Sequence, residues 1–357
     1  MNPLTTTAGS TAAGAVPETA PAEARPARGR HALWLLAAVV VLALVTLASF
    51  AIGARGLALD TVWQALTDFD PANGDHAVVH ARIPRTVLGL LAGAALGVAG
   101  AAMQGLARNP LADPGIIGIN AGAALAVVTG IYVFGVSSLT GYIWFAFIGA
   151  AAAAVVVYLI ASLGRDGATP VKLALAGAAL SAGLFSLMNV ILVSSRDTLD
   201  RFRFWQVGGI AGRDWSVILP ALPFLLLGAA VVLATGRILN NLALGDDIAR
   251  GLGQRVGLAR GITALGIVLL CGSATALAGP IGFVGLVIPH AVRFLTGPDY
   301  RRILPFSLLL APALLLAADV IGRVILLPGE VPAGIMTALV GAPVFVWLVR
   351  RGKGAGL

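Results

Sequence analysis

The chain has 357 residues, of which 58% are hydrophobic and 11% are charged, and it contains 45 glycines and a single cysteine. This composition excludes an ordinary soluble domain and predicts an all-α polytopic membrane protein. The formal net charge of +8 does not indicate a nucleic-acid partner, because arginines beside membrane spans follow from topology, and one cysteine excludes a disulfide within the chain.

The N-terminal residues 1–30 are rich in Ala, Pro, Thr and Gly and have almost no large apolar side chains, so we predict a disordered tail there. The apolar run 32–53, preceded by arginines, has some features of a secretory signal. It is nevertheless long enough to span a bilayer and lacks an obvious cleavage site, so a retained first span is favoured.

Nine further hydrophobic runs follow, and with the first they predict about ten transmembrane helices in one membrane domain, residues 31–351. The nine runs cover residues 86–104, 115–135, 141–164, 173–193, 217–235, 261–279, 280–295, 303–327 and 331–349. Pro289, His290 and Arg293 interrupt the eighth span of the ten. That span must therefore be shielded from lipid by protein or by a cavity.

Basic residues are distributed unevenly between the two sides of the membrane. With the N-terminus inside, most arginines and lysines fall in cytoplasmic segments, as the positive-inside rule requires. We therefore expect both termini in the cytoplasm.

Small residues recur at every fourth position of the second span. They are Gly89, Gly93, Gly97, Ala101 and Gly105. Such a stripe lets neighbouring helix backbones approach closely, so this helix is predicted to lie inside the bundle.

The second span ends at Gln104, and the polar sequence RNPLADPG follows it. Pro110 and Pro114 cannot continue a helix, whereas the side chains of Asn109 and Asp113 can bond the freed backbone groups. Irregular backbone at a membrane edge is tolerated only against protein or a water-filled cavity. These five residues are therefore candidates for the lining of a pathway or its gate, with a simple tight turn as the alternative.

The segment between the fifth and sixth spans reads SSRDTLDRFRFWQVGGIAGRDW. Its aromatic residues suit a membrane interface and its double glycine breaks the segment, so we predict a half-helix near the outer mouth. Trp205 of this segment joins the pathway and gate candidates.

Two pairs of polar residues raise the question of an ion site. His76 and His80, in a predicted outer loop, could share a metal or haem iron, but no third ligand is apparent. No metal site is predicted, and the role of the two histidines stays open. Asp319 and Arg323 are also four apart, and an ion pair between them is favoured over a proton relay.

A polar island, residues 239–256, lies between two long apolar runs and must meet water or a soluble partner. We predict one short helix in it. Asp246 and Asp247 favour its N-terminus, Asp246 can pair with Arg250, and Gly251 and Gly253 favour its end.

Four apolar residues, Leu242, Leu244, Ile248 and Leu252, would share one side of that helix. So short a helix cannot hold its shape alone in water, so this side needs a docking pocket. The pocket belongs either to a partner protein, which we favour, or to the bundle of the chain itself.

The sequence contains no GxxxxGK[ST] phosphate-binding loop. The chain cannot hydrolyse ATP by that route, so any ATP-driven activity needs a second subunit.

Five motifs occur in the order found in one family of membrane proteins. They are RIPRTVLGLLAGAALGVAGAAMQGLARNPLADPGIIGINAGA, ALGDDIARGLG, GPIGFVGLVIPHAVRFL, ADVIGR and PGEVPAGIMTALVGAPVFVWLVRR. On these motifs, residues 82–351 closely resemble the iron-siderophore, haem and cobalamin permeases of ABC importers, the FecCD-type transmembrane subunits.

The resemblance implies a type II ABC importer permease fold, embedded in the lipid of the bacterial cytoplasmic membrane as a multi-pass subunit. It implies a second permease subunit, identical or paralogous, around a central pathway, with a substrate-binding protein outside and two ATPase subunits inside. ATP and Mg would lie on the ATPase, with no cofactor in this chain. The chain would then be a transporter subunit and not an enzyme.

The polar island matches the coupling helices that contact the ATPase in this family. The ATPase-coupling candidates are Leu242, Leu244, Gly245, Asp246, Asp247, Ile248, Ala249, Arg250, Leu252 and Gly253. The resemblance also assigns Arg82, Arg85 and Arg323 to the docking of acidic residues on the two lobes of the binding protein. Alternatively these arginines only extend to the membrane interface, or Asp319 occupies Arg323.

An iron(III)-siderophore is the favoured substrate, because siderophores are the broadest substrate group of the family, with haem and cobalamin as alternatives. An ion-coupled secondary transporter should carry an unpaired acid near mid-membrane, whereas Asp319 has Arg323 beside it. A membrane enzyme would need a convergent catalytic set, which four scattered histidines and one cysteine do not supply.

Overall fold

The computed structural model describes residues 28–163 and 168–352. Within these ranges the α-helices are α1 (Arg28–Ala51), α2 (Leu59–Thr67), α3 (Gly74–Ala107), α4 (Ile119–Phe134), α5 (Leu139–Ser162), α6 (Pro170–Ser194), α7 (Arg196–Gln206), α8 (Trp215–Ala234), α9 (Gly236–Ala243), α10 (Asp246–Gly251), α11 (Val256–Ala278), α12 (Val284–Thr296), α13 (Tyr300–Val324) and α14 (Ala333–Gly352). The predicted tail lies outside the described residues, apart from residues 28–30, which belong to α1.

Seven helices in the described part of the chain are long and apolar enough to cross a membrane, namely α1, α3, α5, α6, α8, α11 and α13. Three shorter apolar helices, α4, α12 and the apolar part of α14, occupy the remaining predicted runs. The all-α polytopic class is confirmed, and these segments coincide in position with the ten predicted spans.

Helix α3 has 34 residues and starts well before the predicted second span. Asn73 caps its N-terminus by accepting a hydrogen bond from the backbone N–H of Asp75 at 2.9 Å. The polar segment from residue 74 is therefore helical. His76 and His80, predicted in an outer loop, lie on this helix instead, because the cap and the acid in the first turn extend it.

Helix α3 lies at the centre of the bundle. In its most apolar 18-residue stretch 78% is buried, whereas the corresponding stretches of α1 and α6 are 11% and 17% buried. A Cβ on Gly93 would lie 2.5 Å from the Cα of Pro312 in α13, and one on Gly97 would overlap the Cβ of Ala311. The backbones of α3 and α13 thus touch along the glycine stripe, which confirms the predicted burial of this helix.

The interrupted eighth span forms α12, in which Pro289 and His290 are buried. A Cβ on Gly100 of α3 would overlap the carbonyl oxygen of Gly285 in α12. Protein therefore shields this short helix, as predicted.

The predicted half-helix between the fifth and sixth spans is also confirmed. It is α7, which ends just before Gly208, a glycine with φ +72°.

Candidate functional site

The polar island folds as two short helices and not as the single helix predicted. Its first residues belong to α9, and Leu244 and Gly245 separate α9 from α10. Gly245 has φ +111°, a conformation that favours glycine and allows the chain to turn between the helices. Gly253, with φ +79°, ends the segment after α10.

The exposed apolar face of α10 is formed by Leu244, Ile248 and Leu252, whose exposed fractions are 58%, 54% and 61%. We call these three residues the α10 surface. Leu242 was predicted on the same side, and that prediction is wrong, because its side chain is 1% exposed and packs into the bundle from α9. Ala249 is fully buried and fixes the opposite side of α10 to the bundle.

Polar contacts on the other side of α10 differ from the predicted pairing. Arg260 of α11 donates from Nη2 to both carboxylate oxygens of Asp246, at 2.8 and 3.0 Å. Arg108, at the C-terminal end of α3, contacts the same carboxylate. Arg250 pairs with Asp247 at 2.8 Å, so the predicted pair between Asp246 and Arg250 is wrong. Asp246 pairs with buried Arg260 instead, a partner that the local spacing could not indicate.

The segment after α3 satisfies its own backbone, as predicted. Asn109 Oδ1 accepts from the backbone N–H of Leu111 at 2.9 Å, and Asp113 Oδ1 accepts from that of Gly115 at 2.7 Å. Pro114 then starts a short 3-10 turn, Pro114–Ile117. Together these contacts hold the segment in one defined conformation.

Gln104 and Asp113 lie deep between helices. Gln104 is 1% exposed and donates to the carbonyl oxygen of Leu286 in α12 at 3.2 Å. Asp113 lines a cavity of about 10 Å³ together with Cys271 of α11. Ala112 and Pro114 are buried and Asp113 is half-buried, whereas Asn109 and Pro110 are exposed. A role of these residues in a pathway or gate stays a prediction.

Trp205 does not line an open surface of this chain. Its side chain is 3% exposed, and its ring lies 5.7 Å from that of Phe202. A Cβ on Gly279 would overlap the carbonyl oxygen of Trp205, so α7 packs tightly on the residue that follows α11. In this conformation Trp205 is a packing residue, because α7 folds its aromatic side inward.

Arg85, Asp319 and Arg323 form a connected group towards the end of α3 opposite Arg108, and Arg82 lies one turn before Arg85 on the same helix. We call Arg82, Arg85, Asp319 and Arg323 the arginine cluster. Arg85 and Arg108 are separated along α3 by roughly 35 Å, at 1.5 Å per residue. The arginine cluster and the α10 surface therefore lie at opposite ends of the bundle.

Arg323 is buried at 1% exposure and donates from Nε to Asp319 Oδ2 at 2.9 Å. It also donates from Nη1 to the carbonyl oxygen of Ser49 in α1 at 2.6 Å. The predicted Asp319 to Arg323 pair is thus present. Asp319 and the α1 backbone hold the Arg323 guanidinium inside the bundle, so the alternative in which Asp319 occupies Arg323 describes this structure better than a docking role for Arg323.

Arg82 and Arg85 are closer to the surface but are also engaged. Arg82 donates to the carbonyl oxygens of Phe50 and Arg55, each at 2.6 Å. Arg85 pairs with Asp319 and, from Nη1, with Glu330 at 2.8 Å, and its side chain is 15% exposed. The sequence pattern did not reveal Glu330, which precedes α14 and contacts Arg85 only through the tertiary fold.

A cavity of about 260 Å³ opens beside Arg85 and Glu330. Arg213, in the segment between α7 and α8, lines it as well and donates from Nε to the carbonyl oxygen of Leu277 at 3.0 Å. Burial lowers the pKa of the Arg213 guanidinium. A desolvated cation of this kind favours an anionic neighbour.

The two histidines of α3 make local contacts. His76 Nδ1 accepts a hydrogen bond from the backbone N–H of Asp70 at 3.0 Å. His80 Nε2 lies 3.2 Å from the carbonyl oxygen of Ala65 in α2. Both side chains therefore hold the segment containing α2 against α3.

Long apolar helices around a buried α3, with an exposed apolar α10 surface at one end and a charged cluster towards the other, define a polytopic membrane protein. The comparisons with known proteins agree. The chain belongs to the FecCD transport family, whose model matches residues 41–351.

Two relatives and one solved structure illustrate the similarity. The ferric enterobactin transport system permease protein FepD of Escherichia coli is 47% identical over 303 residues, covering 85% of this chain and 90% of that protein. The Fe(3+)-citrate import system permease protein YfmD of Bacillus subtilis is 42% identical over 305 residues, covering 85% and 90%. A structure described as an inward-facing conformation of a metal-chelate type ABC transporter has a TM-score of 0.79 at 30% identity, covering 90% of this chain and 99% of that chain.

These findings confirm the predicted family and the type II importer permease fold. The chain is a permease subunit and not an enzyme, and it is a multi-pass membrane protein.

Proposed function

We propose that this permease is the membrane-spanning subunit of an ABC importer that takes up an iron(III)-siderophore. The carrying observation is the α10 surface, three large apolar side chains in and directly beside a short helix, which the described residues 28–163 and 168–352 leave uncovered. The names of the relatives supply the substrate class, because FepD and YfmD are each named for transport of an iron(III) chelate.

The α10 surface is the proposed docking site for a cytoplasmic ATPase subunit. A helix of this kind is recognised when its apolar side enters a groove of a partner protein. The chain lacks a phosphate-binding loop of its own, so the conformational change driven by ATP hydrolysis would reach the permease through this contact. This assignment places α10 and both termini on the cytoplasmic side and the arginine cluster on the outer side.

The outer partner is proposed to be a substrate-binding protein that presents acidic side chains. Arg82 and Arg85 remain the docking candidates, and Arg213 adds a third cation at the neighbouring cavity. Exposed ion pairs stabilise a complex by only about 0 to 1 kcal/mol each, so these arginines would act mainly on orientation and association rate.

A second permease subunit, identical or paralogous, is proposed to complete the pathway. Helix α6 supports this arrangement, because it exposes most of its surface and that surface includes Asn189. A polar side chain on a span is costly against lipid and suits a water-filled pathway or another protein surface.

Haem and cobalamin remain the alternative substrates within this family. The absorption spectrum of the ligand retained by the purified complex with its binding protein separates the three classes. We expect the charge-transfer band of a ferric siderophore. A haem Soret band or a corrin spectrum would contradict the siderophore proposal and leave the importer proposal intact.

A further inference from the structure

The short helix α10 depends on side-chain contacts for its position. It has six residues, which is too few to be stable alone in water. Buried Ala249 and the carboxylate of Asp246, whose side chain is 22% exposed, attach it to the bundle. Asp246 is therefore the polar contact through which a displacement of α10 reaches the spans.

Two helices of the bundle contact that carboxylate, and the start of a third is linked to it through Arg260. Arg260, with a side chain 6% exposed, donates to both oxygens of Asp246 from α11. The Nη1 of Arg260 donates to the carbonyl oxygen of Ala168 at 2.9 Å, just before α6. Arg108 contacts the same carboxylate from the C-terminal end of α3, and its backbone has a left-handed conformation with φ +49°. One acid thus connects α10 to α3 and α11 directly, and to the start of α6 through Arg260.

Electrostatic attraction between the carboxylate and the two arginines stabilises this connection. Two guanidinium groups share a single carboxylate, and burial lowers the pKa of the Arg108 guanidinium, with a further lowering from the charge of Arg260. Removal of the carboxylate would leave two cations facing each other without a counter-charge. Such arrangements are strongly destabilised when they are partly desolvated.

We propose that Asp246 is a positioning residue that makes α10 move together with α3, α11 and the start of α6. This rests on the proposed contact between α10 and an ATPase. The α10 surface would receive the motion of the ATPase, and the carboxylate on the other side would pass it to the ends of three spans. The segment 109–114 follows Arg108 directly, so its position changes whenever Arg108 is displaced.

An acid outside the polar island provides a matched comparison. Asp197 of α7 has a side chain that is 71% exposed and pairs with Arg201 at the surface. The variants Asp246→Asn and Asp197→Asn each remove one carboxylate charge that is paired with arginine. Only the first one cuts the connection to the spans.

The test uses the full complex of permease, ATPase and binding protein in proteoliposomes. The measured quantity is the amount of iron chelate imported per ATP hydrolysed. A loss of folded complex lowers import and hydrolysis together and leaves this ratio unchanged, whereas loss of the connection lowers the ratio. We expect the ratio for Asp246→Asn to fall at least about fivefold below that for Asp197→Asn, within the range of ordinary coupling between sites.

Arg108→Gln keeps the pair between Asp246 and Arg260 and cuts only the connection to α3. It should also lower the ratio, and the double variant with Asp246→Asn should be no lower than Asp246→Asn alone. If Asp246→Asn fails to assemble, Arg108→Gln decides the question by itself. A ratio unchanged from the parent in an assembled variant overturns the proposal, whereas an unaltered chain that binds no ATPase overturns the proposed function.

Discussion

Arg85 of α3 and Asp319 of α13 are joined by two hydrogen bonds, from Nη2 to Oδ1 at 2.8 Å and from Nε to Oδ2 at 3.1 Å. The same carboxylate accepts from Arg323, so one acid with a side chain 2% exposed neutralises two arginines. The arginine cluster therefore joins α3 to α13 and, through Ser49, to α1. It stabilises the bundle in addition to any contact with a partner.

Replacement of Asp319 should destabilise the folded permease. Asp319→Asn leaves buried Arg323 without its counter-charge and Arg85 with Glu330 alone, and breaking a buried pair costs about 3 to 5 kcal/mol. Thermal unfolding in detergent should show a lower midpoint. The matched control is Asp197→Asn, which removes an acid paired four residues away with Arg201 but 71% exposed, and which should change the midpoint little. Equal midpoints for the two variants would contradict a structural role of Asp319.

The pairs that the sequence predicted correctly are local. The spacing of Asp319 and Arg323 on one helix was sufficient to predict their ion pair, and so was the placement of Asn109 and Asp113 beside prolines. The partnership of Asp319 with Arg85 spans 234 residues, so no local pattern could indicate it. Arg323 also donates to the carbonyl oxygen of Ser49, 274 residues away, so its full burial was not evident from local spacing either. The family resemblance places it among the docking candidates.

The polar island, too, could be predicted only in part from the sequence. Its water-facing location and the exposure of Leu244 could be predicted from its composition between two apolar runs. The pairing of Asp246 could not, because Arg260 lies beyond the island and becomes its neighbour only when α11 folds back beside α10. The burial of Leu242 likewise follows from the turn at Gly245, which separates α9 from α10.

A double substitution on the α10 surface should release the ATPase. Leu244→Asp with Ile248→Asp places two charges where apolar contact is proposed, and we expect ATPase co-purification to be lost while membrane insertion is kept. The control is Leu59→Asp in α2, an equally exposed leucine at 64% that lies near the arginine cluster. Full ATPase recovery with the double variant would contradict docking at the α10 surface.

An added methyl group in the glycine stripe should separate α3 from α13. Gly97→Ala would force a Cβ against Ala311 and to 2.8 Å from the carbonyl oxygen of Ser307, at a cost of about 1 to 3 kcal/mol by analogy with core overpacking. The yield of folded protein and its thermal midpoint should both fall. Gly257→Ala, whose Cβ would meet nothing within 4 Å, should leave both unchanged. A midpoint as high for Gly97→Ala as for Gly257→Ala would show that α3 has room at this contact.

The exposed acid beside Arg85 offers a test of docking that leaves the buried pairs intact. Glu330, 37% exposed, occupies one edge of the Arg85 guanidinium, so Glu330→Gln should free that edge for an acid of the binding protein. We expect faster association, by about fivefold at most, with a steeper decrease as salt is raised. Arg82→Glu should act in the opposite direction. If both variants associate with the binding protein at the rate of the parent across a salt series, Arg82 and Arg85 have a purely structural role.

The most direct test of the account is uptake by the reconstituted complex. Proteoliposomes that contain the permease, its ATPase and ATP are supplied with binding protein carrying a radioactive iron(III)-siderophore, and accumulated iron is measured with and without an ionophore. We predict accumulation that requires ATP hydrolysis and is unaffected by the ionophore. Accumulation without ATP that an ion gradient drives and the ionophore abolishes would contradict the account and identify a secondary transporter.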